Sequence, residues 1–536
     1  MKLKYTVLFI ALVGLFMSSC KKGTTLYNDP YAGAKPPLGI LTDPQQIPVP
    51  ASGIAGTQVT IKATGLLPYK DQLTFLFNGQ KATINSVTAN DITVTVPATA
   101  SSGVTAFVVN GQLVFGPLFT VIGNVNLDPT YVNTVGTDGP VLKAFPVPLT
   151  TQVMILGNFQ NYNNAGAITK TNRIVRTFSD GSWDRSFQAG LGANASVYDM
   201  AQVGPWFYIV GDLTGYAQQG GLIGRIAKIS TNGVIDTVSV TTYLKKVKFV
   251  PTFNAGVTGG SIRSIYPVGT NKMVVTGSFT YFISHRYDQN TYDFKDSVIT
   301  DSTDVRQIAR FNDNGTLDST WRFDKTAVGY RGHLGKSLTA ANGPIQTIGH
   351  SDGKILVYGR FTTFDDKPYK NILRLNADGT VDATFNPGSS SDDYIYWASY
   401  NATVNKYLIC GLFNNYNGKP TKYLVQLNYD GSIDAGFTPK VFDGGIPTFV
   451  KLLGDGVSVV GGTFKSYDGV IRNGFAVLDA TGALKGGYNT IGNVSGSIND
   501  IFETTSADGK RALLIMGSFY SFDNKIRNNI VRVTFQ

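Results

Sequence analysis

The chain has 536 residues, with 60 glycines, 12% aromatic residues and only 15% charged ones, a balance that favours strands and tight turns over helices. Its net charge of +10 is spread thinly, with no basic run beyond a Lys-Lys pair and no Lys/Arg stripe, so the footprint of a nucleic-acid-binding protein is absent. Two cysteines, Cys20 and Cys410, exclude a disulfide-built scaffold.

The opening "MKLKYTVLFIALVGLFMSSCKKG" sets Lys2 and Lys4 before an apolar stretch, Val7 to Met17, and small residues before Cys20. This is the pattern of a secretory signal, with a core too short for a confident transmembrane span. It resembles a bacterial lipoprotein signal, which implies that residues 1–19 are removed and Cys20 carries lipid. The Lys-Lys pair after it, with no aspartate there, implies by the same resemblance the outer membrane; which side the protein faces is left open. The alternative is an ordinary cleaved signal with an incidental cysteine. Cys410, in the apolar run "YLICG", is then the one free thiol and reads as a buried structural residue. Residues 20–38 are polar and rich in Pro and Gly, as a tether would be.

Residues 39–123 alternate apolar and polar in "GTQVTIKATGL", "QLTFLFNGQKATINSVTANDITVTVP" and "GVTAFVVNGQLVFGPLFTV", broken by Asn-Gly turns at Asn78 and Asn110. Period-two strands joined by such turns predict a small antiparallel sandwich. The opening "PASGIAGTQVTI", the "FNG" followed by Ala82, the "ITVTVP" strand and the closing "GPLFTV" resemble the IPT/TIG family of immunoglobulin-like domains. That resemblance implies a spacer or binding module.

Residues 124–536 are built from repeats. Gly-x-Phe followed by a further aromatic occurs at "GNFQNY" 157, "GSFTYF" 277, "GRFTTF" 359, "GLFNNY" 411, "GTFKSY" 462 and "GSFYSF" 517, with a degenerate "GDLTGY" at 211. A second motif alternates with it: "LNADGTVDATF" at 375, with relatives at 177, 229, 311 and 427. A unit of a little over fifty residues with four strands is the signature of a β-propeller. The last unit stops at "NIVRVTFQ" without its final strand, while an orphan "LDPTY" lies at 127–131. The expected fold is therefore all-β: an N-terminal immunoglobulin-like β-sandwich plus a seven-bladed β-propeller closed by an N-terminal strand.

In each complete unit a basic position lies eight residues before the aspartate after the turn: Arg176 and Asp184, Lys228 and Asp236, Arg310 and Asp318, Arg374 and Asp382, with Gln426 before Asp434. A type I turn with Gly379 left-handed sets Arg374 opposite Asp382, so these pairs read as structural ion pairs. In the sixth unit both charges change together, to Val477 and Lys485, and the predicted partner of Arg532 is Asp128. The Asp/Asn-Gly turns lack the ordered oxygen ligands and closing glutamate of a calcium loop, so no metal is expected.

This block resembles the delta-60 repeat family through "ILRLNADGTVDATF". The whole layout is similar to Bacteroidota lipoproteins, often linked to TonB-dependent uptake systems. The resemblance implies a transporter and its surface lipoproteins as partners, with no particular ligand.

His285, His333 and His350 show no ligand spacing, and no nucleophile elbow, phosphate loop or H-E-x-x-H occurs, so neither a catalytic residue nor a cofactor is expected. Departures from the repeat are where function is expected: the insertions between Gly277 and Gly359, with Tyr287, Tyr292 and Tyr330, and the cluster "DDYIYWASY", beginning in a loop, with Tyr394, Tyr396, Trp397 and Tyr400. These are candidate platforms for a glycan or a protein partner, the alternative being that they cover blade edges. The expected function is non-catalytic: a lipid-anchored envelope protein, bound to the membrane through its N-terminal lipid, that binds a nutrient ligand such as a glycan or docks on an uptake complex. The alternative is a structural scaffold with no small ligand, and a propeller-based glycan-active enzyme ranks below both.

Overall fold

A computed structural model describes residues 35–164, 171–295 and 297–536. The signal, Cys20 and the first part of the tether lie outside the described residues.

The N-terminal domain is an immunoglobulin-like sandwich. One sheet runs Ser52–Gly53, Gln112–Val121, Gly103–Val109, Thr74–Phe77, Gln80–Lys81, and faces a second of Gln58–Lys62, Asp91–Thr95, Thr83–Val87. Strand alternation makes the core: Val59 and Ile61 point in while Gln58 and Lys62 point out. Phe75, Phe77, Phe107 and Phe119 meet edge to face at centroid distances of 5.1–5.3 Å. Both Asn-Gly pairs turn with positive φ, 42° and 82° at Asn78-Gly79 and 50° and 75° at Asn110-Gly111, as tight hairpins require.

The rest is a seven-bladed propeller. Among the described residues each blade has three antiparallel strands, and the inner ones are Val141–Pro146, Val197–Val203, Ile262–Val268, Ile345–Gly349, Ile395–Asn401, Pro447–Leu452 and Ser495–Thr505. Each inner strand packs against the inner strands of the blades before and after it, the seventh against the first, so together they surround a central channel. The fourth strand differs from expectation. In six blades it shrinks to a single bridge, such as Leu375 to Val381, because the chain turns away immediately after the aspartate.

The Gly-x-Phe motif follows from packing. A Cβ on Gly157, Gly211, Gly277, Gly359, Gly411, Gly462 or Gly517 would lie 2.0–2.2 Å from a backbone carbonyl oxygen at the start of its blade's inner strand. The middle strand therefore ends where only glycine fits. The Phe two residues on, Leu213 in the second blade, and the aromatic beyond it are all buried. Where that aromatic is Tyr162, Tyr216 or Tyr467, its hydroxyl donates to the carbonyl of the turn glycine, Gly181, Gly233 or Gly482, at 2.5–2.8 Å.

Val125–Leu127 closes the ring. It pairs antiparallel with Ile530–Phe535, Leu127 opposite Val533, as the fourth strand of the last blade. Only Ile122 to Asn124 separate this strand from the sandwich, which docks on loops at the end of blades six and seven. There Ser102 N donates to Thr490 O at 2.9 Å, Asn524 Nδ2 to Ser102 O at 3.0 Å, and both Nη atoms of buried Arg472 to Thr99 O at 3.2 Å. The insertions build an accessory sheet of Val257–Thr258, Tyr281–Arg286, Ile299–Asp304, Leu334–Ser337 and Phe323–Val328.

Candidate functional site

The charges in the repeat join blades. Leu375 pairs with Val381, Asn376 O accepts from Gly379 N at 2.9 Å with Gly379 at φ 88°, and Arg374 thereby stands opposite Asp382. Arg374 Nε meets Asp382 Oδ2 at 2.8 Å; the other oxygen accepts from Thr384 N and Oγ1 at 2.9 and 2.6 Å. The same arrangement recurs at Arg176–Asp184 with Ser186, Arg310–Asp318 with Thr320, and Arg532–Asp128 with Thr130. Lys228 pairs with Asp236 at 3.2 Å. Guanidiniums also reach the next blade's turn: Arg176 Nη1 donates to Thr231 O at 2.8 Å, Arg374 Nη1 to Tyr429 O at 2.5 Å and Arg532 Nη1 to Ser179 O. Burial opposes ionisation of Asp382, yet hydrogen bonds from Thr384, Lys354 and Arg374 outweigh it and hold the carboxyl well below the usual carboxylate range.

A second cation on the middle strand escaped sequence reasoning. Lys272, Lys354 and Lys406 bind Asp318, Asp382 and Asp434 at 2.7, 3.0 and 2.5 Å. In the fifth blade Lys406 supplies the charge that Gln426 lacks. In the sixth, Lys485 lies over the Tyr488 ring, 4.7 Å from its centroid.

The channel is where the blades differ. In six blades the inner strand carries a bulge near its start, at Leu142, Tyr198, Arg263, Tyr396, Thr448 and Asn499; the fourth is regular. Bulges re-aim side chains and recur beside functional sites. The residues paired with the position before each motif glycine form one layer: Lys143, Asp199, Ser264, Gln346, Trp397, Phe449 and Asp500. Five are polar or charged, and the two aromatics are neighbours at 5.4 Å. Lys143 Nζ meets Asp199 Oδ1 at 2.7 Å, and Asp199 Oδ2 accepts from Ile265 N at 3.2 Å, linking blades one to three. Burial pushes the Asp500 carboxyl up, with Lys451 and Lys143 pulling it back. Burial acts against the Lys143 ammonium, but Asp199 and Asp500 outweigh it and keep the group charged. Asp199 and Phe449 are buried in the packing between blades, while Lys143, Gln346, Trp397 and Asp500 are only partly buried, so the layer brings an ammonium, an amide, a carboxylate and one indole to the channel, a set that suits a hydroxyl-rich ligand with an apolar face.

The sequence-predicted aromatics occupy three places. Asp392, Asp393 and Tyr394 lie in the loop where the cluster begins, and the rest of it is the fifth inner strand, Ile395–Asn401. Tyr394 and Tyr396 meet at 4.7 Å at the channel mouth, and Tyr396 O accepts from Gln346 Nε2 at 2.8 Å; Trp397 belongs to the layer. Tyr400 lies at the other end of the blade, in a cluster with His350, Tyr407 and Tyr429. That cluster joins blades four and five: Tyr407 OH and His350 Nε2 lie 3.1 Å apart, Arg374 sits 4.1 Å from the Tyr429 centroid, and Tyr429 OH donates to Asp352 at 3.0 Å. Tyr287, Tyr292 and Tyr330 are on or beside the accessory sheet, Tyr287 donating to Asn254 Oδ1 at 3.0 Å and Tyr330 packing on Tyr281 at 5.3 Å. Burial pushes the Cys410 thiol up.

Residues 350–385 and 405–437 match a family described as "Domain of unknown function (DUF5122) beta-propeller". Each match starts ahead of a middle strand and ends on the aromatic of the fourth-strand motif, Phe385 or Phe437. Residues 16–117 match "Domain of unknown function (DUF5008)". No curated protein matches the chain. Among solved structures, a "putative phosphatase" from Bacteroides thetaiotaomicron VPI-5482 is 10% identical over 92% of this chain and 98% of its own, with a TM-score of 0.34. A structural genomics protein of unknown function from the same organism is 13% identical over 81% and 99%, with a TM-score of 0.26.

Proposed function

We propose that the chain is a non-catalytic, lipid-anchored envelope protein that captures a hydroxyl-rich ligand, a glycan, at the mouth of its propeller channel. The observation that carries this reading is the inner-strand layer, where a polar arc from Asp500 through Lys143 and Asp199 to Gln346 adjoins the partly buried Trp397, itself backed by buried Phe449. Carboxylates and amides accept and donate to hydroxyls in a plane, while an aromatic face takes the C–H side of a sugar ring. The N-terminal signal, by its resemblance, supplies the lipid anchor at Cys20, and the Ig-like sandwich, read as an IPT/TIG module, stands on the propeller as a fixed spacer. Capture for a TonB-dependent uptake system fits this layout.

The test is retention in polysaccharide-containing gels. The wild-type chain should be retarded by at least one glycan of a panel, and Trp397→Ala and Tyr396→Ala should each abolish most of that retardation. Retention that survives both substitutions would show that the ligand binds elsewhere than the channel mouth. A second reading, an assembly scaffold without a small ligand, rests on the sandwich's fixed docking through Arg472 and Ser102, and lack of retention on every glycan would favour it.

A further inference from the structure

We propose that the ribbon Thr237–Pro251 is a second membrane-contact element, docking on an anionic lipid surface through apolar side chains interleaved with lysines. It interrupts the fourth-strand motif of the second blade, between Asp236 and the threonine that normally follows two residues later. Thr252 takes that role: its hydroxyl donates to Asp236 Oδ2 at 2.6 Å and its amide to Asp236 O at 3.2 Å. The blade is therefore complete without the insertion, which leaves and returns at one point.

The ribbon is a two-stranded sheet of its own, with Ser239 opposite Phe249 and Thr241 opposite Val247. Its tip is tied by Tyr243 N donating to Tyr287 O at 2.9 Å. Phe249 is 69% exposed and Val247 63%, and Tyr243 and Leu244 are exposed at the turn. A lone ribbon with this much apolar surface in water costs free energy that a partner surface would recover. Lys245, Lys246 and Lys248 are exposed among these residues, and no acidic residue occurs in sequence from Thr237 to Tyr287.

Charge complementarity points to lipid. Protein interface cores are depleted in lysine, whereas at a membrane the aliphatic stem lies along the apolar boundary and the ammonium meets lipid phosphates. Each lysine near an anionic surface adds about 1 kcal/mol of attraction, so Lys245 and Lys248 together change affinity by about thirtyfold. The inference is independent of the channel reading and of the lipid on Cys20.

The chain from Lys21 onward, which keeps every described residue and lacks the lipidation site, should co-sediment with phosphatidylglycerol vesicles far better than with phosphatidylcholine vesicles, and less so as salt rises. Val247→Ser with Phe249→Ser, and separately Lys245→Glu with Lys248→Glu, should each weaken this at least about tenfold. In the unsubstituted sequence, phosphatidylglycerol vesicles should slow hydrogen exchange across 237–251, a readout that needs no variant to fold. Equal binding to both vesicle types, unchanged exchange in the ribbon, or capture of a protein partner through these residues in place of lipid would overturn the proposal.

Discussion

Asp382 divides its two oxygens between an arginine across the hairpin and the threonine that starts the next turn, and a lysine from the middle strand shares the first. The doubling gives a graded prediction. Asp382 keeps Arg374 when Lys354 is lost, whereas Asp434 keeps the Gly436 amide but no cation when Lys406 is lost. Lys406→Met should therefore cost more stability in urea unfolding, about 1–2 kcal/mol against less than about 1 kcal/mol for Lys354→Met. The Arg–Asp spacing is legible in sequence because both residues lie on one hairpin, whose register fixes their separation. The lysine is not, since the loop between the middle and third strands varies: Lys272 lies 46 residues from its aspartate and Lys406 lies 28. His350 supplies a pH signature. Burial first, then Arg374, lowers its pKa from 6.5 to about 4. The folded state thus prefers neutral imidazole, and this contribution is present above about pH 6.5 and lost as pH falls through 4. His350→Phe should flatten that part of the stability profile, by about 2–3 kcal/mol between pH 7 and 4, measured by denaturation at fixed salt.

At the scale of the strand, glycine repeats where space does. Gly411 abuts Tyr394 O and leaves 2.2 Å for a Cβ, so Gly411→Ala must move backbone, and we expect a loss of about 3 kcal/mol or more in a thermal melt. This constancy made the blades legible, since every unit faces the same packing problem. The channel layer was illegible for the opposite reason. Its seven positions hold Lys, Asp, Ser, Gln, Trp, Phe and Asp, so no common letter marks them, and the bulges that aim them displace the register by one residue with no shared glycine or proline to signal it. Trp397 stood out in the sequence as an aromatic outside the motif, but Lys143, Asp199 and Asp500 did not. The ribbon at 237–251 was hidden similarly, because only the contact of Thr252 with Asp236 reveals that a motif has been split.

Across the whole molecule, one joint lacks covalent continuity: the last blade holds Val125–Leu127 by hydrogen bonds and by the Arg532–Asp128 pair, both members nearly inaccessible. Asp128→Ala leaves Arg532 buried and unpaired at that joint, so it should cost about 3–5 kcal/mol, more than Asp434→Ala in a blade already joined along the chain. The orphan "LDPTY" announced this closure, because a ring must finish a strand that its last repeat omits. Docking of the sandwich was not foreseeable, since Thr99 and Ser102 lie outside the repeats and Arg472 and Asn524 stand at repeat positions whose letters vary from blade to blade. Closure and docking together frame the channel mouth with inner strands, and it is there that we propose the ligand binds. The decisive measurement is calorimetric titration of an oligosaccharide from a retained polysaccharide into the wild-type chain, Lys143→Met, Asp500→Asn and, as a control at the opposite end of the blades, His350→Phe. Binding at least about tenfold weaker in both channel variants and unchanged in the control is the predicted result; unchanged affinity in both channel variants would contradict it.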